Sequence, residues 1–132
     1  MNIVVDSSII IAVILNEKNK KEIIQLTKGA NLMAPASLPW EIGNAFSAMF
    51  RRHRLKFSDS KVALKYYKDI PIRFIDIDIE DSLEIANSYK IYAYDAYFIS
   101  TAKTLNVPLI SLDRQLLNIA ENEGLKTIEV LS

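Results

Sequence analysis

The sequence predicts an α/β fold organised on a parallel β-sheet, and three observations predict it. Ile3, Val4 and Val5 form a β-branched apolar run with no polar alternation, as suits a strand covered on both faces. Short runs of this kind recur between longer stretches with helical spacing, and such alternation implies right-handed crossovers and parallel pairing. Half of the 132 residues are apolar, while Gly and Pro number only 3 and 4, which favours regular structure over a disordered or fibrous class.

The elements follow in order. After the first strand, Ser7 or Ser8 caps a helix that runs to Leu15. Asn16 interrupts it, and residues 17–28 resume with Ile23, Ile24 and Leu26 on an apolar face until Gly29 stops the helix. Residues 31–35 read as a second strand. Ser37 and Pro39 open the next helix, since serine caps and proline is tolerated in a first turn. Trp40, Ile42, Ala45, Phe46, Met49 and Phe50 have core spacing there, and a basic run over 51–56 closes the helix. A further helix over 58–69 carries Val62, Leu64, Tyr66 and Tyr67, and Pro71 ends it. Residues 72–77 form a third strand. Asp78 and Asp81 resemble a capping box leading a helix over 80–90. Tyr94, Tyr97, Phe98, Thr101, Ala102 and Leu105 trace one helical face. Residues 107–111 give a fourth strand, 113–123 a helix stopped by Gly124, and 126–130 a fifth strand. No repeat or linker interrupts the pattern, so residues 1–132 read as one domain, long enough to bury a core without staples.

Composition excludes several chemistries. Without cysteine there is neither a disulfide nor a thiolate metal site, and the single His53 rules out a multi-histidine centre within one chain. Sixteen basic residues balance sixteen acidic ones, so any nucleic-acid partner must meet a local patch. The apolar run 9–15 is too short to span a membrane and lacks the flanks of a signal peptide, which gives a cytoplasmic protein as the expectation.

Chemistry concentrates on one edge. In a parallel sheet, strand C-termini and the N-termini of the returning helices share an edge, where ligands bind. Asp6 ends the first strand, Glu41 lies near the start of the helix after the second, Asp95 begins the helix returning toward the fourth, and Asp113 follows that fourth strand. Singly, each acid is explained as a cap or dipole partner worth about 0.3–1 kcal/mol. Together, clustered carboxylates repel and raise one another's pKa values, which a cation relieves. An all-oxygen set suits a hard ion such as Mg²⁺ or Mn²⁺. Asp76 and Asp78 also follow a strand, and capping the helix over 80–90 is their simplest role.

At these residues the chain resembles PIN-domain nucleases. The resemblance rests on VVDSS at the first strand, Glu41 opening a helix, Ala93-Tyr94-Asp95-Ala96-Tyr97, and Ser111-Leu112-Asp113. Length and the YDAYF element are most similar to VapC-type toxins of toxin–antitoxin pairs. The resemblance implies a three-layer α/β/α fold with a five-stranded sheet in the order 3-2-1-4-5, its switch point beside Asp6 and Asp113. The third strand becomes an edge strand, which carries Asp76 and Asp78 away from the site. It further implies that Asp6, Glu41, Asp95 and Asp113 are the catalytic acids and hold Mg²⁺ or Mn²⁺, with Asp6 and Asp95 the strongest ligands. The implied reaction is endonucleolytic hydrolysis of RNA, in-line attack of water expelling the 3′ oxygen of the ribose.

Ser8 stands where the family often has Asn or Ser, and Ser111 where threonine is common; both keep a polar group behind the ligands. Asn44, three residues after Glu41, either orients a ligand or lies on the helix surface. Arg51, Arg52, Arg54 and Lys56 hold RNA phosphates, pair with acidic residues of an antitoxin, or simply complement a helix dipole. A homodimer and a cognate antitoxin are further expectations of the resemblance, and some of Trp40, Phe46, Met49 and Phe50 then form a dimer or antitoxin surface instead of core. Phosphatase and receiver readings fail at Ser7 and Ser8, where each would need a second acid. The remaining alternative is a PIN-like scaffold that binds RNA or protein without turnover.

Overall fold

The computed structural model describes residues 1–131; Ser132, the last residue of the expected domain, lies outside the described residues. Five parallel strands form one sheet in the order β3-β2-β1-β4-β5: β1 (Asn2–Val5), β2 (Asn31–Pro35), β3 (Ile72–Ile75), β4 (Leu109–Ser111) and β5 (Thr127–Glu129). The order expected from the resemblance is the order observed. Ile3, Val4 and Val5 of β1 are fully buried, as the unalternated run requires of a central strand.

Among the described residues seven helices connect the strands: α1 (Ser7–Ile14) and α2 (Lys20–Thr27), then α3 (Leu38–Arg51) and α4 (Phe57–Asp69), then α5 (Ile79–Tyr89) and α6 (Ala93–Leu105), and α7 (Arg114–Asn122). Right-handed crossovers put α1 to α4 on one face of the sheet and α5 to α7 on the other. Accordingly α1 packs on α2, α3 and α4, and α5 packs on α6. One apolar cluster runs through the sheet, from Ile9, Ile10, Leu38 and Ile42 on one side to Phe98, Ile99 and Leu117 on the other. No helix among the described residues is long and apolar enough to cross a membrane.

Several boundaries differ from expectation for identifiable reasons. The helix expected over 17–28 begins only at Lys20, because Asn16 takes a left-handed conformation (φ 57°) and Glu17 N–H turns back to Ala12 C=O at 2.8 Å. β3 stops at Ile75 rather than residue 77, since its register partner there, Pro35, is the last residue of β2. On α4 the face turned inward is Ser60, Ala63 and Tyr67, and Val62, Leu64 and Tyr66 are exposed. Trp40 is not core. It lies two residues from each of Leu38 and Ile42, on the opposite side of α3, and is 71% exposed. Asp78 does cap α5, but its carboxylate accepts from Glu80 N–H at 2.9 Å and not from Asp81.

Candidate active site

β1 and β4 are hydrogen-bonded neighbours, so the loops that leave their C-termini emerge side by side. Asp6 sits at the end of β1 and is itself the N-cap of α1, accepting from Ile9 N–H at 3.2 Å. This corrects the expectation that Ser7 or Ser8 caps that helix. Ser8 instead turns its hydroxyl onto the same carboxylate, donating to Asp6 Oδ1 at 2.6 Å and accepting from Leu112 N–H at 3.0 Å. Ser111 mirrors it across the strand gap. Its Oγ donates to Asp6 Oδ2 and accepts from Asp113 N–H at 2.9 Å. Two hydroxyls thus clasp the β1–α1 and β4–α7 loops around one carboxylate.

Asp6 is 4% exposed, and burial pushes its pKa up to about 6 against those hydrogen bonds, with the nearby Asp113 charge adding to the rise. Glu41, half-buried in the first turn of α3, is pushed up further. Burial raises it to about 8, with the charges of Asp95 and Asp6 contributing. Ser37 is the N-cap residue of α3, as expected, but makes no side-chain cap bond; its hydroxyl donates to Glu41 Oε2 at 3.3 Å. Asp95, in the first turn of α6, is also raised, by burial first and by the Asp113 charge second. Asp113 caps α7, its Oδ1 accepting from Gln115 N–H at 3.0 Å and Leu116 N–H at 3.2 Å.

The four acids therefore occupy one edge and feel one another. Asp6 feels Asp113, Glu41 feels Asp95 and Asp6, and Asp95 feels Asp113. Asp95 and Asp113 share the walls of a small cavity of about 20 Å³, room for roughly one water. As the side chains stand, no three acidic or histidine groups among the described residues lie close enough to hold a metal ion as a cage. That open spacing fits Mg²⁺ better than Zn²⁺ or Ca²⁺. Mg²⁺ keeps several waters and is bound by one or two carboxylates together with substrate phosphates. The donor set also fits, being all oxygen, and the raised pKa values mark carboxylates that a cation would stabilise.

Other predicted residues fall elsewhere. Asn44 is exposed, and its side chain bonds none of the four acids. Arg51, Arg52, Arg54 and Lys56 are exposed, form no ion pair among the described residues, and sit at the far end of α3. Ten residues of helix from Glu41 to Arg51 span roughly 15 Å. Arg52 and Arg54 border a groove of about 800 Å³ floored by Met49, Leu55 and Ala63. Asp76 lies nearer than an edge strand suggested, in the wall of a second groove with Ser37, Trp40 and Tyr94. Sequence spacing gave no sign of that groove, because Trp40 shares a helix with core residues and the β3–α5 loop has no periodicity.

Solved structures share the fold over nearly the whole chain. PAE2754 from Pyrobaculum aerophilum matches 98% of this chain and 92% of its own, with a TM-score of 0.73 at 21% identity. VapBC2 from Rickettsia felis, solved bound to a DNA fragment from its promoter, matches 98% of both chains, with a TM-score of 0.69 at 13% identity. A PilT N-terminus domain protein from Sulfolobus solfataricus matches 98% of this chain and 87% of its own, with a TM-score of 0.51 at 18% identity. No curated protein sequence matches the chain at a comparable level. The PIN domain profile matches residues 3–122, so the chain belongs to the PIN domain family, whose members are typically nucleases.

Proposed function

We propose that the protein is a metal-dependent endoribonuclease acting as one domain, with Asp6, Glu41, Asp95 and Asp113 as its catalytic acids. The observation that carries this reading is the convergence of four carboxylates from four separate elements on one edge, three of them raised above their ordinary pKa values by burial first and by a neighbouring acid's charge second. Mg²⁺ or Mn²⁺, held first by Asp6 and Asp95 with Asp113 and Glu41 beside them, would supply Lewis acidity toward a phosphate oxygen and lower the pKa of a water.

The chain's own residues do the rest. Ser8 and Ser111 fix the plane of the Asp6 carboxylate, and their bonds to Leu112 and Asp113 N–H hold the second loop in register with it. Among the described residues the carboxylate of Asp95 accepts no hydrogen bond and Asp113 Oδ2 accepts none either, so these oxygens are available to ligate. Glu41 is protonated near neutral pH without a cation and ionises beside one. It is therefore the group suited to take the proton of the attacking water, on Oε1, the oxygen Ser37 leaves free. In-line attack of that water on phosphorus would form one P–O bond and break the P–O3′ bond, leaving a 5′-phosphate and a ribose 3′ oxygen that takes its proton from solvent.

The test uses purified full-length protein, freed of any partner, with tRNA, rRNA and mRNA pools. Cleavage is expected with Mn²⁺ or Mg²⁺, with loss in EDTA and a fall of at least about 100-fold in Asp6→Asn, the order of a catalytic electrostatic contact. Equal cleavage by Asp6→Asn would sink the site assignment. Absence of metal-dependent cleavage would favour the binding module without turnover.

The likeness to VapBC2, solved as a toxin–antitoxin complex, supports a cognate antitoxin as partner, and a homodimer fits the same reading. Arg51, Arg52, Arg54 and Lys56 stand too far from Glu41 to touch the phosphate being cut. They fit RNA backbone two or more nucleotides away, or the acidic residues of an antitoxin.

A further inference from the structure

Beside the acids, between the start of α3, the start of α6 and the β3–α5 loop, lies a groove of about 450 Å³, within the range of small-ligand sites. Its walls are Trp40, Tyr94, Tyr97, Ile79, Ser37 and Asp76. Trp40 is 71% exposed and Tyr94 45%, and Tyr94 meets Tyr97 edge to face, ring centroids 5.8 Å apart. Large aromatic side chains left this open on one small surface mark a binding site more often than chance.

Two features choose the occupant. The groove adjoins the acid edge through Ser37, which lines it and donates to Glu41, while Trp40 and Tyr94 stand one residue before Glu41 and Asp95 on their helices. Its polar complement is a carboxylate, Asp76, which has no partner among the described residues. A carboxylate repels phosphate and accepts hydrogen bonds, so the groove rejects a nucleic-acid backbone and receives the donor edge of a base. Guanine offers two neighbouring N–H donors on its Watson–Crick edge, whereas uracil offers one. Bases stack on aromatic faces only once they are unpaired.

We propose that this groove is a base-reading subsite: an unpaired guanine next to the cleaved phosphate stacks on Trp40 and Tyr94 and donates to Asp76. The inference rests on the nuclease reading for the identity of the strand, and it makes the substrate single-stranded at the cut. No duplex fits, because a paired base has its Watson–Crick edge occupied.

Trp40 is the only tryptophan, so its fluorescence reports the groove directly. The full-length protein is titrated in Ca²⁺ with 2′-O-methyl single-stranded hexamers, one with a central guanine and one of uracil alone. The guanine hexamer should quench Trp40 and bind at least about fivefold more tightly than the uracil one. Trp40→Leu and Tyr94→Leu should each weaken binding about tenfold, followed for the first by fluorescence anisotropy of a labelled hexamer. Both positions are exposed, so the melting temperature should hold. Asp76→Asn should bring the guanine and uracil affinities close to parity. Absence of quenching, or unchanged hexamer affinity in Trp40→Leu, overturns the inference. So does a native dimer that Trp40→Leu converts to monomer with RNA affinity intact, since a second copy would then cover the groove. Quenching in a protein that never cleaves RNA supports the subsite and removes the nuclease reading. Metal-dependent cleavage with unaltered binding by Trp40→Leu does the reverse.

Discussion

Glu41 and Asp6 hold protons that the unfolded chain would have released, and this fixes how stability must respond to pH. Both folded values, about 8 and about 6, lie above the ordinary carboxylate values of 4.5 and 3.8. Between those limits the folded state binds more protons than the unfolded one. The stabilising contribution is therefore complete below the unfolded values and is lost as pH rises through the folded ones. In EDTA, the melting temperature should fall from about pH 5 to about pH 9, as read by calorimetry at fixed ionic strength. Glu41→Gln should remove the upper part of that fall, and Mg²⁺ at the alkaline end should restore stability by favouring the ionised acids. A melting temperature that climbs across the same interval would contradict the burial assigned to Glu41. Ser111→Ala removes a donor from a buried carboxylate and should cost about 1–3 kcal/mol in chemical denaturation. The positions of the four acids were legible in the sequence because each stands where one periodicity gives way to another. Their neighbours were not. Whether Asp6 or Ser8 caps α1 depends on the extended backbone of Asp6 and on Leu112, a residue on a different loop, and no local pattern encodes that.

At the scale of elements, two catalytic candidates double as helix caps. Asp6 starts α1 and Asp113 starts α7, so replacing either by alanine confounds two losses. Asparagine caps nearly as well as aspartate, while alanine costs about 1 kcal/mol. Asp113→Asn should therefore keep the native stability within a few tenths of a kcal/mol. Asp113→Ala should lose about 1 kcal/mol in urea denaturation, and both should lose RNA cleavage. If the two variants are equally stable, the cap seen at Gln115 and Leu116 carries no weight. A separate prediction concerns Lys90, which ends α5 at φ 57° in the left-handed region. Lys90→Gly relieves that conformation and should stabilise the fold by about 0.5–1 kcal/mol in the same assay. Helix and strand order could be read in advance because periods of 2 and 3.6 alternate cleanly. The inward stripe of α4 could not, since small Ser60 and Ala63 pack inside while Val62 and Tyr66 stay in water. Hydrophobicity finds an amphipathic helix more readily than it finds which turn meets the core.

The whole molecule carries no net charge, so long-range attraction for RNA must come from where its charges sit. α3 separates an acidic end at Glu41 from a basic end at Arg51, Arg52 and Arg54, a gradient along one rigid rod. The double variant Arg52→Ala with Arg54→Ala should leave turnover of a short oligonucleotide within about twofold. It should weaken binding of longer RNA and flatten the salt dependence by roughly 1.4 in log–log slope. An unchanged slope would assign the basic end to a protein partner. Ser111 reaches Asp6 across 105 positions of sequence, and Ser8 reaches Leu112 across 104. The clasp is also a clock. A growing chain makes Asp6 105 residues before Ser111, so that carboxylate has neither a neighbouring β4 nor a second loop until residues 109–113 have been added. Closure over so long a separation comes late in folding. Under the nuclease reading proposed above, no copy can cut RNA until residues 109–113 have been added and folded against Asp6.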